Sequence, residues 1–147
     1  MPDPATTLRQ AALRLLARRE YSRAELARKL ASQAESGEEL VQVLDQLVAE
    51  QYLSDDRYAR QRVQSRSKRY GDQRLQQELQ RQGIASEAID QALADGESEL
   101  ERCRAVWAKK FGQPAENAEM LAKQMRFLQY RGFSSESIRR VIRGVDE

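Results

Sequence analysis

Apolar side chains recur along the chain at the spacing of an amphipathic helix. In the segment 38–50, Leu40, Leu44 and Leu47 are spaced four and three residues apart, which places them on one face of a helix. Gln, Arg, Leu, Ala and Glu dominate the chain, and all of them are tolerated well in helices. β-branched residues are sparse, which argues against a sheet. The pattern therefore predicts an all-α protein.

The same pattern returns every 49 residues. At this offset Leu30 aligns with Leu79 and Leu128. Three further sets match in all copies, and they are Glu38/Glu87/Glu136, Leu40/Ile89/Ile138 and Leu44/Leu93/Ile142. Leu26 aligns with Leu75, but the third copy has Gln124 at this position. Several matches at one unbroken offset indicate three tandem copies of a small helical unit.

Each copy is predicted to hold three helices, which makes nine helices in an elongated, curved molecule. Neighbouring repeats must stabilise one another, because each unit alone buries few side chains. We expect the repeats to span residues 1–54, 55–96 and 97–147. The helices are predicted at about 4–19, 24–33, 38–50, 55–69, 73–82, 86–93, 97–111, 117–131 and 135–143.

Capping signals support these limits. A Ser followed three residues later by Glu, as at Ser22 and Glu25, is typical of a capping box at a helix start. The other expected N-cap residues are Asp3, which precedes Pro4, together with Ser54 and Ser86. Glycine favours the left-handed backbone that ends a helix, so Gly83 and Gly132 are expected helix stops.

The formal net charge of +2 conceals strong segregation along the chain. Residues 31–56 carry seven acidic and no basic side chains, whereas residues 57–81 carry eight basic and two acidic ones. On one helix, Arg62, Arg66 and Arg69 would form a row beside the buried face. Such a row suits a polyanion backbone, although a solvated face paired with a neighbouring acidic helix is the alternative.

Basic and aromatic side chains in the second and third repeats are the candidate partner-binding residues. Tyr130 and Tyr70 are the aromatic residues placed where a base could stack on them, although simple packing explains them equally well. The full candidate set is Arg57, Arg60, Arg62, Arg66, Lys68, Arg69, Arg74, Arg126, Tyr130, Arg131, Arg139, Arg140 and Arg143.

The chain lacks most of the chemistry that enzymes use. It has no histidine, and therefore neither the usual general base nor the commonest metal ligand. There is no glycine-rich phosphate loop or acidic metal-binding pattern, so we expect no enzyme, cofactor or metal. The single cysteine, Cys103, shares a helical stripe with Leu100, Trp107 and Phe111, which predicts a buried core. No apolar run is long enough to span a membrane, and a cytoplasmic protein is expected.

Four segments in order resemble the RecX family and cover nearly the whole chain, from about Thr7 to Gly144. They are the opening Leu13–Leu30; the joint Tyr52-Leu53-Ser54-Asp55-Asp56-Arg57-Tyr58-Ala59; Gly71–Leu79 followed by Gly83-Ile84; and Arg126-Phe127-Leu128-Gln129-Tyr130-Arg131-Gly132-Phe133. The resemblance implies a negative modulator that binds RecA filaments on single-stranded DNA, in their helical groove, and inhibits recombinase, ATPase and coprotease activities. It would thereby regulate DNA repair, homologous recombination and the SOS response.

Two other functions stay open on the residues alone. A helix-turn-helix DNA-binding regulator would also have three-helix units with glycine at the turns. The helices after Gly83 and Gly132, however, lack a base-reading set of side chains. A nuclease is disfavoured by the missing histidines and metal motifs. We expect a monomer that meets single-stranded DNA directly or within the RecA filament.

Overall fold

A computed structural model describes the backbone of residues 4–144 and the side chains of residues 8–144. This part of the chain forms nine helices and no strand, as the pattern predicts. The helices are α1 Pro4–Arg18, α2 Arg23–Leu30, α3 Gly37–Ala49, α4 Asp55–Arg66, α5 Asp72–Arg81, α6 Ser86–Ala94, α7 Glu99–Lys110, α8 Ala118–Tyr130 and α9 Ser135–Arg143. None of them has both the length and the apolar character needed to cross a membrane.

The helices form three modules, each with its own apolar core. Module 1 holds α1–α3, module 2 holds α4–α6 and module 3 holds α7–α9. The repeat is visible in these cores, because Leu30, Leu79 and Leu128 are each 2% exposed or less. The chain exposes 9608 Å², whereas a compact protein of its mass exposes about 7700 Å². The three cores therefore stand in an elongated row, as predicted.

The position at which the third repeat departs from the pattern is buried and polar. Gln124, which replaces the leucine of the other two repeats, is 4% exposed. Its side-chain carbonyl accepts the Trp107 indole N–H at 2.9 Å, and its amide donates to the Gln113 carbonyl at 3.1 Å. The buried amide is stable in the core because both of its polar atoms are hydrogen-bonded.

Two of the four predicted N-cap residues are present. Ser22 and Glu25 form the capping box, and Ser54 accepts the backbone N–H of Arg57 at 3.1 Å. The prediction for Ser86 is wrong: the N-cap is Ala85, whose carbonyl accepts the N–H of Ile89, so Ser86 is the first helical residue. The predicted cap Asp3 lies outside the described residues.

The glycine stops are also present, whereas α2, α4, α7 and α8 are each two or three residues shorter than predicted. Gly83 and Gly132 have φ values of 76° and 88° just after the ends of α5 and α8. α4 ends at Arg66 instead of Arg69, and the carbonyls of Ser67 and Tyr70, just beyond its end, accept hydrogen bonds from Arg102. The row of three arginines along one helix is therefore wrong, since Arg69 lies beyond the end of α4.

A buried polar network joins modules 2 and 3. The guanidinium of Arg102, 4% exposed, bonds the carboxylate of Asp72 and three backbone carbonyls, those of Ser67, Tyr70 and Glu97. A backbone hydrogen bond also spans the joint: the N–H of Gly71 donates to the carbonyl of Arg131 at 2.8 Å. Side-chain and backbone hydrogen bonds thus hold these two modules in one orientation.

Glu99 also makes hydrogen bonds at the joint between modules 2 and 3. Its carboxylate accepts the backbone N–H of Asp72 at 2.8 Å and the hydroxyls of Ser134 and Ser137, each at 2.7 Å. Burial alone would raise the pKa of Glu99, yet these hydrogen bonds lower that pKa below its ordinary value. The charged carboxylate is therefore the form that the joint stabilises.

The joint between modules 1 and 2 consists of more exposed pairs. Arg57 of module 2 donates to the carboxylate of Glu20 at 2.5 Å, and the backbone N–H of Arg23 donates to Asp55 at 2.8 Å. Arg28 donates to the side chain of Gln82 at 2.7 Å. The side chain of Arg57 is 38% exposed, against 5% for Arg102, so solvent screens this arginine more than the one between modules 2 and 3.

The apolar stripe predicted on α7 is present, but its side chains are buried to different degrees. Cys103 is fully buried, and Leu100 and Trp107 pack partly buried against the core of module 3. Phe111 is half-buried and meets the ring of Phe127 edge-on, with 5.5 Å between the ring centres. The thiol therefore lies within an apolar core.

We expect Cys103 to resist thiol reagents in the folded protein. Burial, helped by the nearby carboxylate of Glu99, raises the pKa of the Cys103 thiol to about 12, so the reactive thiolate is scarce at neutral pH. A disulfide reagent added at about pH 8, just below the ordinary thiol pKa, should modify the protein only as module 3 opens, and rapidly in denaturant. Modification of the native protein at the rate of a free cysteine would contradict this prediction.

Candidate partner-binding groove

A wide groove lies along the joint between modules 2 and 3. It has a volume of about 1010 Å³ and runs between the end of α4, the connection from α6 to α7, and the facing sides of α7 and α8. Val63, Val106 and Phe127 contribute apolar lining. The cations along its sides are Arg60, Lys68, Arg69, Lys109, Lys110 and Arg131, and we call this surface the basic groove.

The charge of the basic groove is unbalanced. Asp95 and Glu97 are its acidic lining residues, against six cations and the buried Arg102. Arg102 is neutralised within the joint by Asp72, so it supports the groove without offering its charge to a partner. Arg60, Lys68 and Lys109 are exposed and take part in no ion pair among residues 8–144. The groove therefore attracts anions.

Four of the residues singled out from the sequence meet in this groove: Arg60, Lys68, Arg69 and Arg131. They come from two modules, and the joint brings them together. Arg131 is anchored there, because its guanidinium donates to the carbonyl of Arg69 at 3.2 Å and lies 4.9 Å from the Phe127 ring. The positive charge of Arg131 is thus held at a fixed place in the groove.

Three other candidates are engaged by carboxylates of the chain. Arg57 pairs with Glu20, as described above. Arg66 makes a two-pronged pair with Glu78 at 2.8 and 2.6 Å, and Arg74 approaches the same carboxylate at 3.7 Å. The hydrogen bonds that Arg66 donates to Glu78 raise the pKa of Arg66. These arginines help to fix α4 and α5, and part of their charge is already balanced.

The remaining basic candidates lie away from the groove. Arg62 is exposed on α4, with its guanidinium 6.0 Å from the Tyr58 ring. Arg126 is exposed on α8, and the last three candidates lie on α9, where Arg139 and Arg143 are exposed and Arg140 is half-buried. None of these five residues lines the groove.

The two tyrosines considered for base stacking, Tyr70 and Tyr130, differ sharply in their surroundings. The Tyr70 ring has three guanidinium groups close to it, from Arg74 at 4.1 Å, Arg66 at 4.7 Å and Arg131 at 5.6 Å. Cations thus already crowd the ring that would have to receive a base. Tyr130 is 81% exposed at the end of α8 and lines a separate recess.

Sequence reasoning missed Lys109 and Lys110. They lie in the last turn of α7. Acidic residues outnumber basic ones in this stretch of the sequence, so its charge balance does not draw attention to the two lysines. Adjacent lysines followed by an aromatic residue were the available signal. Lys110 lies 5.2 Å from the Phe127 ring and so closes one side of the groove.

The groove offers binding chemistry. Its cations and apolar lining suit an extended anionic surface, whether of phosphates or carboxylates. Among residues 8–144, no acidic or cysteine side chains gather into a cluster that could hold a metal ion.

Comparison with known proteins identifies the family. Three family models match in order: the first three-helix domain of RecX at residues 9–47, the second at 54–93 and the third at 97–142. The regulatory protein RecX of Chromobacterium violaceum is 46% identical, covering 98% of this chain and 94% of its own. That of Leptothrix cholodnii is also 46% identical, covering 97% of this chain and 92% of its own.

Solved structures carry the same fold. A crystal structure of RecX from Lactobacillus salivarius superposes with a TM-score of 0.85 at 20% identity, covering 99% of both chains. A second structure of regulatory protein RecX superposes with a TM-score of 0.79 at 21% identity, covering 95% of this chain and 73% of the other. With three matched domains and relatives of this identity over almost the full length, the chain belongs to the RecX family of regulatory proteins.

Proposed function

We propose that this protein is a negative modulator of RecA, acting as a cytoplasmic monomer without catalysis of its own. It binds RecA filaments on single-stranded DNA, in their helical groove, and inhibits the recombinase, ATPase and coprotease activities. DNA repair, recombination and the SOS response are regulated as a result. Membership of a regulatory family supports the role, and the unbalanced charge of the basic groove is the observation that supports contact with an anionic filament.

The shape of the molecule suits a repetitive partner. Its three modules stand in a row, so they can touch successive subunits or phosphates along a filament. Weak contacts made together by linked modules add as multivalent binding. The firmly held joint between modules 2 and 3 keeps the groove cations in place before contact, which lowers the ordering cost of binding.

The helix-turn-helix alternative receives less support from the surface. The helix that follows Gly83, α6, exposes Glu87 and Asp90, whose charges oppose the approach of phosphates. A regulator that reads bases with this helix would need donors there. We therefore keep the RecA filament as the proposed partner.

Charge reversal in the groove should weaken inhibition of RecA. The variant R60E/K68E/K109E changes three exposed groove cations, and we expect about tenfold more protein to be needed for half-inhibition of the RecA ATPase on single-stranded DNA. If these cations neutralise three phosphates, the salt dependence of log affinity should also become flatter by about 2, since each phosphate contributes about 0.7 on a single strand.

The matched control is R14E/R18E/K29E, which changes three exposed cations of module 1 and alters the net charge by the same amount. The control should inhibit as the unmodified protein does, and circular dichroism should show all three proteins folded. Equal inhibition by the groove variant and the control would remove the groove from the proposal. Absence of inhibition by the unmodified protein would end the proposed function itself.

A further inference from the structure

Tyr130 presents an aromatic ring that nothing in the described residues covers. It is 81% exposed, far more than any other large hydrophobic side chain among residues 8–144, the next being Tyr52 at 51%. In contrast to Tyr70, its ring has no guanidinium or ammonium group stacked on it among residues 8–144. Its faces are thus open to a partner.

The backbone that carries this ring is held firmly. Tyr130 ends α8, and the turn that follows is bonded to module 2 at three points. Arg74 donates to the carbonyl of Tyr130 at 3.5 Å, Gly71 to that of Arg131 at 2.8 Å and Gln73 to that of Gly132 at 3.2 Å. An exposed ring on a rigid backbone loses little conformational freedom when a ligand stacks on it.

The recess beside the ring is polar and slightly positive. It has a volume of about 410 Å³, and its lining includes three exposed glutamines, Gln73, Gln77 and Gln129. Each amide supplies both a donor and an acceptor. Arg74 and Arg81 outnumber the one lining carboxylate, and Arg81 is exposed without an ion pair in the described residues.

These features together match the parts of an unstacked nucleotide. The open ring offers a stacking surface, the amides match the donors and acceptors of a base edge, and Arg81 suits the adjoining phosphate. An aromatic side chain of a protein would use the ring but leave the amides and the arginine without partners. We propose that this recess binds an exposed base of single-stranded nucleic acid, with Tyr130 as the stacking residue. The proposal rests on the proposed function for the source of the strand, single-stranded DNA.

The test separates the base from the phosphates. The full chain is titrated at low ionic strength against fluorescent oligo(dT), and against an abasic strand of equal length whose sugars carry no bases. Y130A should bind oligo(dT) about tenfold more weakly, a loss within the range for one stacked base, and should bind the abasic strand unchanged. Y130F and Y130W should retain the affinity for oligo(dT).

The control variant is Y52A, which removes the other exposed tyrosine, in module 1, and should bind both strands normally. Equal losses on both strands, an unchanged affinity of Y130A for oligo(dT), or no binding of oligo(dT) by the unmodified protein would each overturn the base site. RecA inhibition by the groove variants is scored separately. If Y130A loses oligo(dT) while even the unmodified protein leaves RecA active, the base site stands and the proposed function fails.

Discussion

Arg102→Met should lower the free energy of unfolding by about 3 kcal/mol. Removing one partner of a buried ion pair leaves an uncompensated charge, which typically costs about 3–5 kcal/mol. Here the carboxylate of Asp72 is 35% exposed and partly solvated, which places the loss at the lower end. Three backbone carbonyls also lose their donor. Urea denaturation followed by circular dichroism measures the change.

Two further variants tell the network apart from mere packing. Arg126→Met, at an exposed position of α8, should change stability by no more than about 0.5 kcal/mol. Adding Asp72→Asn to the Arg102 variant should recover part of the loss, because the orphaned carboxylate is then neutral. If Arg102→Met is as stable as the unmodified protein, the joint between modules 2 and 3 does not depend on this guanidinium.

The pKa of Asp72 also reflects the contact with Arg102. Burial raises the pKa of Asp72 above its ordinary value, and the neighbouring charge of Arg102 acts in the opposite direction. The arginine therefore favours the charged form of a carboxylate whose burial opposes that form. A lysine cannot replace it, because a single ammonium lacks the planar fork that reaches one carboxylate and three carbonyls together.

The helices and the repeat were predictable because both are written locally. Leu30, Leu79 and Leu128 show the period directly, and each is buried in the structure. The N-cap prediction was wrong once, at Ser86. The helix includes Ser86 as its first residue, so the N-cap is Ala85. The third repeat has the same register, because Ser135, which aligns with Ser86, is also the first residue of its helix.

The groove was predictable only in part, because its cations meet through tertiary structure. Arg60 and Lys68 were recognised in a basic stretch, whereas Lys109 comes from an acidic one and approaches them only when modules 2 and 3 join. Long-range pairing was hidden for the same reason. Arg57, a candidate by its charge, meets Glu20 across 37 positions of the chain.

The end of α4 illustrates a third limit. Helical spacing continues through Arg69, so a pattern of side chains extends the helix to that point. α4 nevertheless ends at Arg66, and the carbonyls of Ser67 and Tyr70, just beyond its end, accept hydrogen bonds from the buried guanidinium of Arg102. Because Arg102 is more than 30 residues away in the chain, only the folded structure reveals these bonds.

Gly132→Ala should cost about 3 kcal/mol, whereas Gly144→Ala should cost about 1 kcal/mol. Both glycines have a left-handed backbone, with φ values of 88° and 70°, where a side chain costs about 1–2 kcal/mol. At Gly132 a new Cβ would also press on the Cβ of Arg74 and lie 2.9 Å from its backbone nitrogen. At Gly144 no atom of the other described residues lies within 4 Å of that position.

The difference between the two variants measures how tightly modules 2 and 3 meet. α5 cannot easily retreat from a methyl group at Gly132, because the N–H of Gln73 donates to the carbonyl of Gly132 at 3.2 Å. Overpacking of this kind typically adds about 1–3 kcal/mol. Urea denaturation of the two variants under identical conditions gives both values. Equal losses would mean that this joint yields to a methyl group. The cations of the basic groove would then lack the fixed positions that the proposed binding of an anionic filament requires.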